Sequence, residues 1–398
     1  MNQAGPIIEA GVVLAGPLEA VDREAVTVAV TACAERLQRL LPEYDWQFRL
    51  TRRDEWTSGR TVEPTELLQQ VREERDESGW DFAFVVTHAD LISHYKPFAL
   101  AAISTALDVS VISTARIDPS ATQPDSTVSH RGDVIQRRLE TLMLHSLGFW
   151  LGLSPQPDES NLMGSVTSVQ ELSEEKSFSE DQLEEMRSAI AAIADKRLEE
   201  REDLQTASRW QFSLLAAWEN RREILESTIR ARPWQFPTRL SRLTTAAVST
   251  VLVLLMTAET WDMAMSQSLH SVTVLFVSAI VGTTSYAGLR QQLFLRRNGR
   301  SITEQIVTSN VSAAVIFASG MTVMFLLLSL LALAAGWLLF PAEVIKGWAA
   351  SVAQPIQWRH YLLLATTVGS LGIIIGALGA SFEQQHYFRH VIFVDEEV

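Results

Sequence analysis

The sequence predicts an α/β soluble domain, a mixed sheet with helices, followed by a helical stalk and an all-α transmembrane four-helix region. Three observations carry this expectation. Charge is confined to the front of the 398-residue chain: residues 1–232 hold 24 Lys+Arg and 39 Asp+Glu, whereas residues 233–398 hold 9 and 8. Short apolar runs alternate with helix-period segments over residues 5–175, a pattern that favours layered α/β structure. After residue 240 come four apolar stretches long enough to cross a bilayer, which takes about 20 residues of helix.

In chain order, "GVVLAGP" reads as a strand, residues 19–41 as an amphipathic helix, "DWQFRLTRR" as a strand and 64–77 as a helix opened by Pro64. "DFAFVVTHADL" and "DVSVISTARI" are two further apolar strands, and "YKPFALAAISTA" between them reads as a loop or short helix. Residues 116–132 are loop by composition, a helix is expected from Asp133 to Leu151, and a turn at Ser160–Gly164. Residues 180–232 are charged and mostly helical, with Leu183, Met186, Ile190 and Ile193 on one face. The apolar repeat falters at Arg197 and Glu200, so a rigid connector fits better than a coiled coil. The expected domains are 1–178, 179–238 and 239–398.

The acidic first part is repelled by phosphate backbones, which argues against nucleic acid as a partner. One cysteine, Cys33, cannot close an intramolecular disulfide and reads as a core thiol. The first residues have no basic n-region, and their short apolar run ends at Pro17, so no signal peptide is expected.

The four spans are expected near 241–262, 268–290, 311–340 and 360–381. Arg221, Arg222, Arg230, Arg232, Arg239 and Arg242 precede the first, and Arg290, Arg296, Arg297 and Arg300 follow the second, so both flanks belong inside. Four crossings then return the C-terminal "VIFVDEEV" to the cytoplasm, giving a multi-pass cell-membrane protein with both termini inside. Trp234, Trp261, Trp337, Trp348 and Trp358 fall near span ends and read as interface anchors. Gly372, Gly376 and Ala380, four apart, form a helix-packing face. No ionisable residue lies mid-span, which argues against a pump, although Ser278, Thr283, Thr284 and Ser319 could line an oligomeric pore.

The segment "LETLMLHSLGFWLGLSPQPDESNLMG" has the outline of a zinc-protease helix and turn. In the pattern HExxHxxGxxH, two His one turn apart and a third beyond a glycine hold the metal, while Glu activates water. Laid on it, Thr141 takes the first ligand position, Leu142 that of the Glu, His145 the second ligand, Gly148 the glycine and Leu151 the third ligand. Met163 in "SNLMG" falls at the expected methionine turn. Together with "ELLQQVREE", "DFAFVVTHADL" and "VSVISTARIDP", this order over residues 5–190 resembles the archaemetzincins, a metzincin-type zinc-protease family. The resemblance implies a metzincin-like fold. The family's second zinc site uses cysteines after the third His and near the methionine turn; this segment has none.

One imidazole does not hold a catalytic zinc, and leucine replaces the general base. Glu140 is about 140° around the helix from His145, on the wrong face; Asp158, His130, His88 and His94 could approach only through loops. These positions therefore read as vestigial, with no metal and no cofactor expected, and the chain as no enzyme but a pseudoprotease that binds or regulates a peptide or protein partner at the membrane. The alternatives are an oligomeric pore gated by the soluble domain and a zinc peptidase with rearranged ligands. The bilayer is the other expected partner, and a homo-oligomer is allowed.

Overall fold

The computed structural model describes residues 5–121, 127–193, 209–290, 304–352, 355–380 and 385–398. The chain divides into two compact units, Met1–Ala207 with Phe393–Val398, and Ser208–Ile392. The expected positions Arg197, Glu200, Arg296, Arg297 and Arg300 lie outside the described residues.

The first unit is a mixed α/β domain. Its strands are β1 (Ile7–Ala15), β2 (Asp45–Arg53), β3 (Thr61–Val62), β4 (Phe82–Thr87), β5 (Asp90–Leu91), β6 (Ala101–Ser104), β7 (Val109–Ser113) and β8 (Glu396–Glu397). Six of them form one sheet in the order β2-β1-β4-β7-β6-β8, and β3 pairs with β5. β2, β1, β4 and β7 run parallel, β6 is antiparallel to β7, and β8 is antiparallel to β6. The helices are α1 (Ala20–Leu40), α2 (Pro64–Ser78), α3 (Thr114–Ile117), α4 (Val128–Trp150) and α5 (Glu180–Ile193).

Alternation along the central strands builds the layers. Ile8, Ala10, Val12 and Leu14 of β1 and Phe82, Phe84 and Val86 of β4 share a core with α1 and α4. Val13, Ala83 and Val85 are also fully buried, on the opposite face by the two-residue period, where α2 packs on β4 and β7. Strands buried on both faces need continuous apolar runs, as their sequences show.

Two expectations are corrected here. Within "YKPFALAAISTA", Ala101–Ser104 is a strand, because β7 and β8 supply its backbone partners on both sides and override alanine's helical preference. The residues after the last apolar stretch do not stay with the helical region: Phe393–Val398 belong to the first unit, and β8 completes its sheet.

The second unit is helical: α6 (Arg209–Glu219), α7 (Arg221–Arg230), α8 (Phe236–Arg239), α9 (Ser241–Leu255), α10 (Ala258–Ser266), α11 (Leu269–Arg290), α12 (Glu304–Leu338), α13 (Ala342–Trp348) and α14 (Trp358–Ala380), after which α15 (Gln385–Phe393) leads into β8. Among the described residues three stretches are long and apolar enough to span a membrane: Leu269–Arg290, Val307–Leu338 and Trp358–Leu378. A fourth arises if Ile224–Arg239 and Ser241–Leu255, bent by 57°, count as one. The chain thus has the apolar helices of a multi-pass membrane protein.

The expected first span, 241–262, is broken after Leu255. The Trp261 indole N–H donates to the Leu255 carbonyl at 2.8 Å and the ring is fully buried against Phe340 and Trp348, so this tryptophan is a packing element and not the expected interface anchor. Trp234, Trp337 and Trp358 are each at least half exposed.

α14 packs on α9, α10, α11 and α12. A Cβ on Gly376 would lie 2.8 Å from Ala247 Cβ and 3.2 Å from the Leu243 carbonyl, and one on Gly372 would lie 3.0 Å from Val251 Cγ2. The missing side chains let the two backbones approach. The side chain of Ala380 lies outside the described residues.

Candidate functional site

The site begins with the cap of α4. Thr127 accepts from the His130 backbone N–H through its hydroxyl at 3.4 Å, starting the helix five residues before the expected Asp133. Past Arg138 its residues are apolar nearly all round, and Leu139, Leu142, Met143, Leu144, Leu147, Phe149 and Trp150 all enter the core. Gly152, at φ 98°, ends it, with its N–H bonded to the Phe149 carbonyl and that of Leu153 to Gly148.

His145, Gly148 and Met163 are brought together. A Cβ on Gly148 would strike Met163 Sδ and lie 3.2 Å from Phe178, so only glycine lets this turn close on α4. Met163 is held there by its own N–H, which donates to Asn161 Oδ1 at 2.8 Å, and by its carbonyl, which accepts from Gln156. His145 is 5% exposed, stacks obliquely on Phe149 and donates from Nδ1 to the Leu162 carbonyl at 2.6 Å.

The remaining positions are used for packing. Leu142 and Leu151 are core residues. Thr141 Oγ1 lies 3.0 Å from both the Arg137 and the Leu172 carbonyl oxygens, which share its one proton. Glu140 faces away and pairs with Arg36 at 3.2 Å, while the Arg36 guanidinium also donates to the Lys176 carbonyl. His94 pairs with Glu63 at 3.1 Å, His130 is exposed, His88 is half-buried, and exposed Asp158 accepts from Ser160. Among the described residues no three His, Cys, Asp or Glu side chains come together to hold a metal ion.

Burial pushes the His145 imidazole down to about 4; the Leu162 carbonyl opposes this, and the Lys176 and Lys96 charges add to it. The ring is therefore neutral at pH 7, with its proton on Nδ1 and a lone pair on Nε2. That tautomer leaves Nε2 able to donate its lone pair to a metal. It is one donor where a catalytic zinc needs three.

No family model matches the chain, and no curated protein matches it. Solved structures do. The first unit is similar to archaemetzincins. The archaemetzincin of Methanopyrus kandleri is 18% identical, with a TM-score of 0.38, over 48% of this chain and 99% of that one. A zinc-dependent peptidase from Methanocorpusculum labreanum is 15% identical, with a TM-score of 0.34, over 44% of this chain and 99% of its own. Metalloproteinase-II of Bacteroides fragilis is 16% identical, with a TM-score of 0.31, over 48% of this chain and 55% of its own. At these identities the likeness concerns the fold.

The expectation that the chain is no enzyme is corrected here: the solved structures it resembles in fold are named archaemetzincin, zinc-dependent peptidase and metalloproteinase-II. The zinc itself does not fit Thr141, Leu142, His145 and Leu151, since three of the four offer no free donor. A metallopeptidase built on this chain would need donors from other residues.

Sequence reasoning missed the residues at the far end of the sheet. Glu397 is 2% exposed and its carboxylate accepts four hydrogen bonds from residues 93–96. No local pattern marks such a pairing across some 300 residues; the only signal was three consecutive acidic residues set among apolar ones in "VIFVDEEV".

Proposed function

We propose that the chain is a four-span membrane protein whose metzincin-like domain works at the cytoplasmic surface of the cell membrane, where it binds or regulates a peptide or protein partner. The observation that carries this is the composition of one sheet: β8 follows the last apolar helix, yet it pairs with β6, which precedes the first. Two strands of one sheet lie on one side of a membrane, so the number of crossings is even. This supports counting the bent pair around Leu240 as a crossing, giving four instead of three. Arg221 and Arg222 just before that crossing, with Arg230, Arg232 and Arg239 in its first part and Arg242 at the start of its second, support the cytoplasmic side. The β6 edge, which already holds an extended segment through main-chain bonds, supports a peptide-like partner.

Single cysteines at exposed Thr27 and Ser268 test the topology in intact cells, using a membrane-impermeant maleimide. Cys33 is fully buried and its thiol is pushed above the ordinary range by burial, so it stays silent. Thr27→Cys is expected to label only after the membrane is opened, and Ser268→Cys from outside. Labelling of both from one side contradicts the proposal.

A further inference from the structure

The contacts that hold β8 are directed at carboxylates. Ser93 Oγ donates to Glu397 Oε2 at 2.7 Å, the backbone N–H of His94 to Oε1 at 2.9 Å, and those of Tyr95 and Lys96 to Oε2 at 3.1 and 3.2 Å. Two residues earlier, the Thr105 N–H donates to Asp395 Oδ2 at 2.6 Å. Lys96 Nζ lies 3.6 Å from Glu396. Between these anchors the main chain pairs with β6: Asp395 N–H reaches the Ile103 carbonyl, Val398 N–H the Ala101 carbonyl, and Leu100 N–H the Val398 carbonyl.

Three successive backbone N–H groups around one carboxylate make a concave anion site whose selectivity comes from main-chain geometry. The two-residue strand offers little ladder of its own, so the acidic side chains set the register. Val394 and Val398, on either side of the acidic run, are buried. The recognised pattern is an extended Val-Asp-x-Glu-Val.

We propose that the outer edge of β6, with the Ser93–Lys96 turn, is a receptor site for an extended acidic peptide of this pattern, filled in the present chain by its own residues 394–398 and taken in trans by a partner that displaces them. The proposal rests on the peptide-binding reading above and names its ligand class. An occupant tethered within the same chain acts at an effective concentration of about millimolar. A free peptide therefore competes poorly against the intact chain and well against one from which the occupant is removed.

The test uses the full chain in detergent micelles and the same chain ending at Phe393, with fluorescein-labelled Val-Asp-Glu-Glu-Val read by anisotropy. The shortened chain is expected to bind the peptide saturably, and the intact chain at least about tenfold more weakly. A peptide carrying glutamine at the position of Glu397 is expected to bind at least about tenfold more weakly than the native peptide, through loss of its charge-assisted bonds. No saturable binding to a folded shortened chain, or equal binding of the glutamine peptide, overturns the proposal.

If the shortened chain does not fold, full-length Glu397→Gln replaces it, read by hydrogen exchange at Ala101–Ser104. Exchange faster than wild type and slowed again by native peptide supports the site; exchange unaffected by peptide overturns it. Failed peptide binding with Thr27 and Ser268 labelling from opposite sides sinks this site alone and leaves the four-span reading standing.

Discussion

Replacing Arg75 by methionine is expected to destabilise the first unit by about 3 kcal/mol, the low end of what removing one partner of a buried ion pair costs. Arg75 lies on α2 with its side chain 1% exposed. Its Nη1 donates to the Leu107 carbonyl at 2.6 Å and to Asp108 Oδ2 at 3.0 Å, and Nη2 to Asp76 at 3.0 Å. Leu107 and Asp108 form the turn between β6 and β7, with Asp108 at φ 50°, a conformation that costs a non-glycine residue energy. The guanidinium therefore clasps the helix to the hairpin that presents the β6 edge. Asp108 keeps about a quarter of its side-chain surface exposed, which places the effect at the lower end of the range. Denaturant unfolding in micelles measures it, and adding Asp108→Asn to Arg75→Met is expected to recover part of the loss. A loss below about 1 kcal/mol would show that the clasp is not structural.

The second large effect is a proton linkage at His145. Its folded pKa is about 4 against an ordinary 6.5, so between these values the native state binds fewer protons than the unfolded chain. Its contribution is complete above pH 6.5 and falls as pH drops toward 4, by about 3 kcal/mol for a shift of this size. Asp22 acts in the opposite sense. Burial, with the neighbouring Asp118 and Glu19 charges, pushes its carboxyl up to about 6, so the native state holds an extra proton from pH 6 down to 3.8 and gains stability there. The two oppose each other between pH 6 and pH 4. Asp22→Asn uncovers the histidine: this variant is expected to lose about 3 kcal/mol more between pH 7 and pH 4 than Asp22→Asn with His145→Gln. Parallel pH profiles of the two variants would contradict a neutral, buried imidazole.

The central sheet was legible where burial on both faces wrote continuous apolar runs, as in "GVVLA" and "FAFVV". Gly148 and Met163, singled out in the sequence, meet in the structure, where Met163 fills the space a side chain at 148 would need. β6 was not, since "AAIS" carries no strand signal of its own and owes its conformation to partners on both sides. β8 was hidden for a stronger reason: a two-residue acidic strand has no periodicity, and its partner lies across the whole helical region. The break at Met256 was not read from the sequence; there the Met256 and Thr257 N–H groups turn back to the Val253 and Leu254 carbonyls, and the Trp261 indole N–H closes on the Leu255 carbonyl.

The joining of β8 to β6 is tested most directly by a disulfide. Ile103 and Glu396 are register partners, and cysteines at paired antiparallel positions, about 4.5–5.5 Å apart at Cα, can bridge. Ile103→Cys with Glu396→Cys, oxidised in native membranes, is expected to keep the two halves of the chain together after cleavage at a protease site inserted between α11 and α12, until reductant is added. Halves that separate without reductant would contradict the pairing, and with it the shared sheet and the even number of crossings.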